Sequence, residues 1–412
     1  MNAGSITNTG SVPPPANPRT ILYIDHTAEL GGGEIALFNL VTHLDVRRYR
    51  PVVMLFAEGP LAVRLRAASV EVLVVPLSAA VMNTRKDSLN AGSLFKVRQA
   101  SASLGHAARV AKIIRKLRPA IVHTNSLKAD IIGGFAAKLA RVPLVWHVRD
   151  RIAEDYLPRR VAQSFRWLAR RLPTHVIANS SATLNTLADD VTRGTEHFSV
   201  IHNGTVIHDG IAICEAVAPV ARIGACTIGL IGRISPWKGQ DVLIRAAAKL
   251  RASGVDCHYR LIGSALFGEA DYEAGLRRLA DELGVSDIVE FSGFRSDVAA
   301  EVAKLHIVVH ASTVPEPFGQ VIIEGMVASK PVIASRAGGV IEIVDEERTG
   351  LLTPPGDVDA LAAAILRLVE DPNLARRLGE AAREAVIARF SIGRVAADVA
   401  RLYDNLLNGV PG

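Results

Sequence analysis

The sequence predicts an α/β protein of two doubly wound parallel-sheet domains that face each other across a cleft. Three observations carry this. Short runs of Val, Ile and Leu alternate with longer amphipathic stretches along the chain, and many are apolar throughout, the pattern of strands buried on both faces of a parallel sheet. The pattern weakens near residues 206–225 and then begins again. At 412 residues the chain is also too long for a single core, which rarely grows past about 250–300 residues.

In order along the chain, residues 1–18 are rich in Ser, Asn and Pro and predict a disordered tail. The first domain, 19–205, holds the strand candidates ILYIDH (21–26), PVVMLF (51–56), VEVLVVP (70–76), AIVHTN (120–125), PLVWHV (143–148), THVIANS (174–180) and FSVIHN (198–203). Helical patterns such as SLGHAARVAKIIRKLRP and SATLNTLADDV lie between them, and such alternation builds βαβ units. Residues 78–95 show no periodicity and read as a functional loop or an ordinary surface loop. Residues 206–225 read as a linker. The second domain, 226–390, offers CTIGLIG (226–232), CHYRLIG (257–263), IVEFSG (288–293), IVVHAS (307–312) and PVIAS (331–335). A final helix, SIGRVAADVARLYDNLL, within 391–412, follows a break at Phe390 and is expected to return to the first domain. Ligands of such sheets bind at the carboxyl ends of the strands, which places the site in the cleft.

Composition narrows the setting. Only 5% of residues are aromatic, so Ala, Val, Leu and Ile must build the cores. Cys214, Cys226 and Cys257 form neither a metal knuckle nor an even disulfide framework. The N-terminus lacks a basic region followed by an apolar run, and no stretch of about 18 apolar residues occurs. These features predict a cytoplasmic protein with at most peripheral contact with the inner face of a membrane. Residues 1–205 carry 26 Lys and Arg against 14 Asp and Glu, a net +12, whereas the remainder carries −6. The basic half reads as attraction to an anionic partner or as a solvated Arg-rich surface.

Three motifs sit where strands meet helices. The turn TAELGGGE, after the first strand, ends in Gly31, Gly32, Gly33 and Glu34. Such a turn presents free helix N–H groups to a phosphate, or it serves only close packing. The second motif is GRISPWKGQDVL, where Arg233 and Lys238 flank a Pro-Trp turn at a strand end, cations spaced to clamp a pyrophosphate. The third and strongest is HASTVPEPFGQVIIEGMVASKP. There Glu316 and Glu324 are separated by seven residues, and Phe318, Gly319 and Gln320 fall at a helix start whose backbone N–H groups are free. Each carboxylate can accept bonds from vicinal hydroxyls of a sugar or ribose. Glu324, about two turns into the helix by this reading, is embedded among Val321, Ile322, Ile323 and Met326, where an unpartnered charge is costly.

EPFGQVIIE, with GRISPWKGQDVL, IHNG and the GGxE turn, resembles glycosyltransferase family 4, of GT-B architecture with two Rossmann-like domains, from about Ile21 to the last helix. The resemblance implies a retaining glycosyltransferase that moves a sugar from a nucleotide-diphosphate sugar to an acceptor hydroxyl. Glu316 would hold donor-sugar hydroxyls and Glu324 the ribose. Arg233, Lys238 and the amides of Phe318, Gly319 and Gln320 would hold the diphosphate. Phe294 and Arg295 would flank the base. His147 would sit near the anomeric centre, and Asn203-Gly204 would form the turn between domains. The family often has Asp two or three residues past that turn, whereas Thr205 and Val206 follow here. Gly32 and Gly33 join the donor set. Glu34, His123, His147 and Arg149 are acceptor-side candidates, although His123 reads equally as a core histidine.

No cofactor or metal is expected, because Arg233 and Lys238 can neutralise the diphosphate. Asp357-Val-Asp359 matches a metal-binding DxD pattern formally but reads better as a helix N-cap and a first-turn acid. The helix candidate 157–173 sets Val161, Phe165, Leu168, Ala169 and Leu172 on one arc and Arg159, Arg160, Arg166, Arg170, Arg171 and Trp167 on the other. That is a solvated amphipathic helix or a contact for a membrane surface or anionic acceptor. The sequence does not identify the sugar, the base or the acceptor; the expected setting is bacterial cell-envelope polysaccharide, glycolipid or glycoconjugate synthesis, with a small-molecule acceptor of aminoglycoside or inositol-phosphate type as the alternative. The rivals are a sugar-nucleotide epimerase or sugar phosphorylase on the same architecture and an inactive sugar-nucleotide-binding protein. Nucleic acid is a poor fit, because the basic residues lack interleaved aromatics.

Overall fold

The computed structural model describes residues 17–77, 93–188, 196–207, 226–255, 257–265 and 268–409. Most of the expected tail (1–18), of the aperiodic segment 78–95 and of the linker 206–225, with Cys214, lies outside the described residues.

Two parallel sheets form. The first holds β1 (Arg19–Asp25), β2 (Tyr49–Leu55), β3 (Glu71–Val74), β4 (Ile121–Thr124), β5 (Leu144–Val148), β6 (His175–Ala178) and β7 (Phe198–Val200), in the order β3-β2-β1-β4-β5-β6-β7. The second holds β8 (Thr227–Ile231), β9 (His258–Ile262), β10 (Val289–Gly293), β11 (Ile307–His310), β12 (Val332–Ser335) and β13 (Leu351–Thr353), in the order β10-β9-β8-β11-β12-β13. β4, β5, β6, β11 and β12 are buried along their whole length, which is why their sequences are mainly apolar, with polar residues such as His123, His147 and His310 toward the carboxyl ends of β4, β5 and β11. β13 was not anticipated: three residues ending at Pro354-Pro355 carry too short a pattern to read.

In each sheet the winding reverses between the first and fourth strands of the domain, β1/β4 and β8/β11. Crevices open at the carboxyl ends of the strands at such reversals. The GGG turn, His147 and Arg149 lie beyond β1 or at the end of β5, whereas Arg233, Lys238 and Glu316 lie beyond β8 and β11.

The helix Pro372–Phe390 ends at Ser391, and the helix Ile392–Asn408 crosses to the first domain. Thr205 N–H donates to Phe390 O and Ile392 N–H donates to Thr205 O, each at 2.9 Å, so the two crossings of the chain are bonded together. Val395, Ala396, Val399, Leu402 and Tyr403 join a core with Ile21, Tyr23, Leu37, Ile121, Val145 and Ile177.

The basic helix spans Arg159–Ala169 and buries Ala162, Phe165 and Ala169, with Trp167 55% exposed. Arg166 departs from the basic outer arc. Its guanidinium turns inward and donates to the carbonyls of Thr186 (2.8 Å) and Ile152 (2.5 Å), orphan acceptors that a neutral side chain would leave unpaired. The helix starts beyond the carboxyl end of β5 and leads back to the amino end of β6, so Trp167, in its last turn, lies away from the cleft.

Candidate active site

The second domain supplies a cation pair and a carboxylate from separate segments. Beyond β8 the chain makes a short 3-10 turn over Pro236–Lys238, and the following helix begins at Gln240. Gly239 joins them in the left-handed region at φ 73°, and a Cβ there would lie 1.9 Å from Ala311 O. Only glycine fits, and the contact locks the Lys238 turn against the segment leading to Glu316. Lys238 Nζ then reaches Glu316 Oε1 at 2.7 Å. The Arg233 guanidinium and the Lys238 ammonium both approach the Trp237 ring, at 5.4 and 4.6 Å, and Arg233 Nε lies 3.6 Å from Glu269.

Glu316 is buried. His310 Nε2 lies 3.0 Å from its carboxylate, and Ser312 Oγ donates to it. Burial alone would raise its pKa, but Lys238 and His310 outweigh that and hold the carboxyl well below its ordinary value. It is therefore an anion throughout the physiological range. Sequence reasoning assigned Glu316 and Lys238 to different groups of a donor, and the structure joins them as one ion pair. His310 and Ser312 were missed, although both stand in the quoted motif.

Gly319, at φ 119°, caps the helix Gln320–Val327, which places Phe318, Gly319 and Gln320 at its amino end as anticipated from the spacing. The Phe318 side chain points into the core, 5.8 Å from Phe390 and 5.9 Å from His202, so only its backbone is available to a ligand. Glu324 lies just past the first turn, not two turns in, because the helix begins only at Gln320. Burial pushes its carboxyl up to about 7, against a hydrogen bond from Gln320. Phe294 and Arg295, exposed beyond β10, form the rim of the same domain.

On the first domain the helix Gly32–His43 starts at the glycine turn, where Gly31 N–H donates to Glu34 Oε2 at 3.1 Å. Glu34 thus caps its own helix, and burial and the neighbouring Asp25 raise its carboxyl to about 7. A Cβ on Gly32 would lie 3.8 Å from Cβ of Gln320, so the turn faces the start of the helix Gln320–Val327 across the cleft. Arg149 is buried behind it, donating from Nε to Asn125 Oδ1 (2.7 Å), from Nη1 to Asn203 Oδ1 and from Nη2 to His147 Nδ1 (3.2 Å). Burial lowers its pKa to about 10, against Asp25 and Glu34. His147 Nδ1 also meets His123 Nε2 at 3.2 Å. Burial, Arg149 and His123 depress His147 well below the usual histidine range, and burial with Arg149 takes His123 to about 3, so both are neutral at pH 7. His123, like His147, is fully buried, and stands as its hydrogen-bonded neighbour. Asp25, Asn125 and Ser126 were missed: Asn125 Nδ2 and Ser126 Oγ donate to Asp25 at 2.7 and 2.8 Å.

The domains touch through a clasp that no motif announced. Ser180 Oγ and Thr183 Oγ1 donate to Pro317 O, inside EPFG. The Glu342 carboxylate of the second domain accepts Ser181 N–H (2.9 Å), Ala182 N–H (2.8 Å) and His202 Nε2–H (3.0 Å) of the first. Elsewhere, Asp357 Oδ1 accepts from Ala360 N–H at 2.9 Å as a helix cap, and Asp359 pairs with Lys249.

Two family models match the chain: Glycosyltransferase Family 4 over residues 30–208, and Glycosyl transferases group 1 over residues 224–385. A D-inositol 3-phosphate glycosyltransferase of Streptomyces bingchenggensis is 30% identical over 311 residues, 70% of this chain and 67% of that one. The chain is a family 4-type glycosyltransferase of GT-B architecture. A lipopolysaccharide core mannosyltransferase, LpcC of Rhizobium leguminosarum bv. viciae, is 28% identical over 70% of this chain and 79% of its own. Among solved structures, Anabaena Alr3699/HepE in complex with UDP and glucose superposes with a TM-score of 0.78 at 30% identity, covering 94% of this glycosyltransferase and 99% of HepE. HepE has also been crystallised with UDP-glucose. No helix among the described residues of the glycosyltransferase is long and apolar enough to cross a membrane.

Proposed function

We propose that this glycosyltransferase moves a sugar from a nucleotide-diphosphate donor to an acceptor hydroxyl with retention of configuration and without a metal ion. One observation carries the reading. Arg233, Lys238 and the amino end of the helix Gln320–Val327 come together at the carboxyl ends of the second sheet, around an ionised Glu316. Two cations and a helix N-terminus supply the charge that a leaving diphosphate requires, the part a divalent ion plays in other transferases. Glu316 accepts hydroxyls of the transferred sugar, Glu324 accepts the ribose hydroxyls, and Phe294 and Arg295 border the base.

In the reaction the bond between the anomeric carbon and the diphosphate oxygen breaks, and its electron pair leaves with the diphosphate. The acceptor oxygen bonds the anomeric carbon from the same face, and its proton passes to the departing diphosphate oxygen. The state of Glu316 supports this route over a covalent one: a carboxylate held by Lys238, His310 and Ser312 is a poor nucleophile. The clasp through Pro317 and Glu342 closes the cleft and excludes water that would otherwise hydrolyse the donor.

The names of the relatives and the basic first half support an acceptor of the cell envelope, a polysaccharide, glycolipid or glycoconjugate, reached in the cytoplasm or at the inner membrane face. A second reading, a small phosphorylated polyol, is favoured by the inositol 3-phosphate relative. The position of Trp167 bears on membrane contact: a membrane held at Trp167 lies on the far side of the first sheet from the cleft, so lipid delivery would have to use Arg159 and Arg160 at the other end of that helix.

The test is thermal stability with UDP, GDP, ADP and TDP, each with and without EDTA, on wild type and Glu324→Ala. Selective stabilisation by one nucleotide, lost in the variant and indifferent to EDTA, is the expected result. Stabilisation by none of the four would sink the donor assignment.

A further inference from the structure

The returning C-terminal helix reaches the site through hydrogen bonds. Tyr403 lies at zero exposure beneath the first sheet, with Tyr23 OH 2.8 Å from Tyr403 OH and Tyr403 OH 2.6 Å from His123 Nδ1. His123 Nε2 stands 3.2 Å from His147 Nδ1, which is 3.2 Å from Arg149 Nη2. The chain runs Tyr23, Tyr403, His123, His147, Arg149, and every member is buried.

One end of this chain has a fixed polarity. Arg149 can only donate, so His147 Nδ1 must accept. The neutral His147 ring therefore carries its proton on Nε2. Two lone pairs cannot face each other at 3.2 Å, so His123 presents an N–H from Nε2 that shares the single Nδ1 lone pair of His147 with Arg149, and His123 Nδ1 must accept. Tyr403 O–H then donates to His123 Nδ1, and Tyr23 O–H donates to Tyr403. The reverse polarity would set a proton on His147 Nδ1 against the Nη2 N–H of Arg149 at 3.2 Å, and the guanidinium is fixed in place by its bonds to Asn125 and Asn203. His147 Nε2 is buried and has no protein partner.

We propose that Tyr403, with Tyr23, is a positioning residue of this transferase. Through His123 it holds His147 as a fixed Nε2–H donor, so that His147 offers the substrate a hydrogen bond and does not act as a base. This rests on the reading of His147 as a residue beside the reacting sugar. It gives the returning helix a part in the chemistry that a purely structural tether would not have: the helix carries a hydroxyl that sets a tautomer two rings away.

Long-range 15N–1H correlation spectra of protein labelled at histidine decide the matter without knowledge of the donor. His147 and His123 signals are assigned by their loss in His147→Gln and His123→Gln. In wild type at pH 7 both rings should be protonated at Nε2 and bare at Nδ1. In Tyr403→Phe, His123 loses its Nδ1 donor, and its signal should move toward a tautomer mixture. With a sugar conjugate of whichever nucleotide stabilises the wild-type protein, nucleotide release should slow on the order of tenfold in kcat with KM little changed. Tyr49→Phe is the control. Tyr49 O–H donates to Asp404 on the same helix at 2.6 Å but lies off the relay, so it should alter neither spectrum nor kcat. A His147 protonated at Nδ1 in wild type overturns the proposal even if Tyr403→Phe fails to fold. So does a Tyr403→Phe spectrum and kcat equal to those of Tyr49→Phe. If His147→Gln releases that nucleotide at the wild-type rate, the reading of His147 itself falls. If His147→Gln is impaired but the relay is not seen, only the present inference falls.

Discussion

Glu324 shows a buried carboxylate working against stability. Its carboxyl is raised to about 7 by burial on an otherwise apolar helix. A carboxyl raised in the folded state binds its proton more tightly there, so its favourable contribution is complete below the unfolded value near 4.5 and is lost as pH rises through 7. Glu324→Gln should therefore stabilise the nucleotide-free protein at pH 8 by about 2–3 kcal/mol, little at pH 4, and weaken nucleotide binding. Urea denaturation at the two pH values, with a nucleotide titration, checks both parts; equal effects at pH 4 and 8 would refute the shift. Gly239 fails for steric reasons. With φ at 73° and Ala311 O 1.9 Å from any Cβ, Gly239→Ala should cost about 2–4 kcal/mol in denaturation and separate Lys238 from Glu316. An unchanged denaturation midpoint would show that the turn can relax.

At the scale of elements, the clasp joins the amino end of the helix Ser181–Leu187 to the second domain. Glu342 completes that helix start from the opposite domain and accepts two of its free amides. Burial opposes its charge, yet His202 and the amides hold its pKa below the ordinary value. Its contribution is present above about pH 4.5 and fades as pH falls through the depressed value. Glu342→Ala should therefore favour the open cleft. We expect a larger radius of gyration in solution scattering of the nucleotide-free protein and a several-fold rise in KM, with the fold intact. Scattering curves that superpose on wild type would rule out the clasp as a determinant of closure.

At the scale of the whole molecule, the two domains are not independent. The helix Ile392–Asn408 covers one face of the first sheet, and Ile392, Val395, Ala396, Val399, Leu402 and Tyr403 are buried there. A chain ending at Phe390 would expose that face, a contiguous apolar surface that soluble proteins rarely tolerate. Expression of residues 1–390 should give insoluble protein, whereas removal of residues 409–412 should not. A soluble, cooperatively folding 1–390 chain would show that the helix only decorates the domain. The clasp and this crossing act together: one bonds the domains at the cleft, the other at the hinge through Thr205 and Phe390.

Much of this was legible in the sequence because its signals are local. Apolar strand runs and helical periods specify two doubly wound sheets, since a buried parallel strand must be apolar on both faces. Arg233 and Lys238 lie within one turn, and Glu316 and Glu324 within one turn-and-helix segment, so sequence spacing could be read for each pair. β13 was too short to read, and Arg166 was misplaced because helical periodicity cannot tell a solvated arginine from one that reaches back to orphan carbonyls. The tertiary structure alone decided which distant groups meet: Lys238 with Glu316 across 78 positions, His123 with Tyr403 across 280, and Glu342 with the helix start at Ser181. Such pairings leave no periodic trace, because a hydrogen bond between buried side chains needs only two atoms brought within about 3 Å by packing elsewhere.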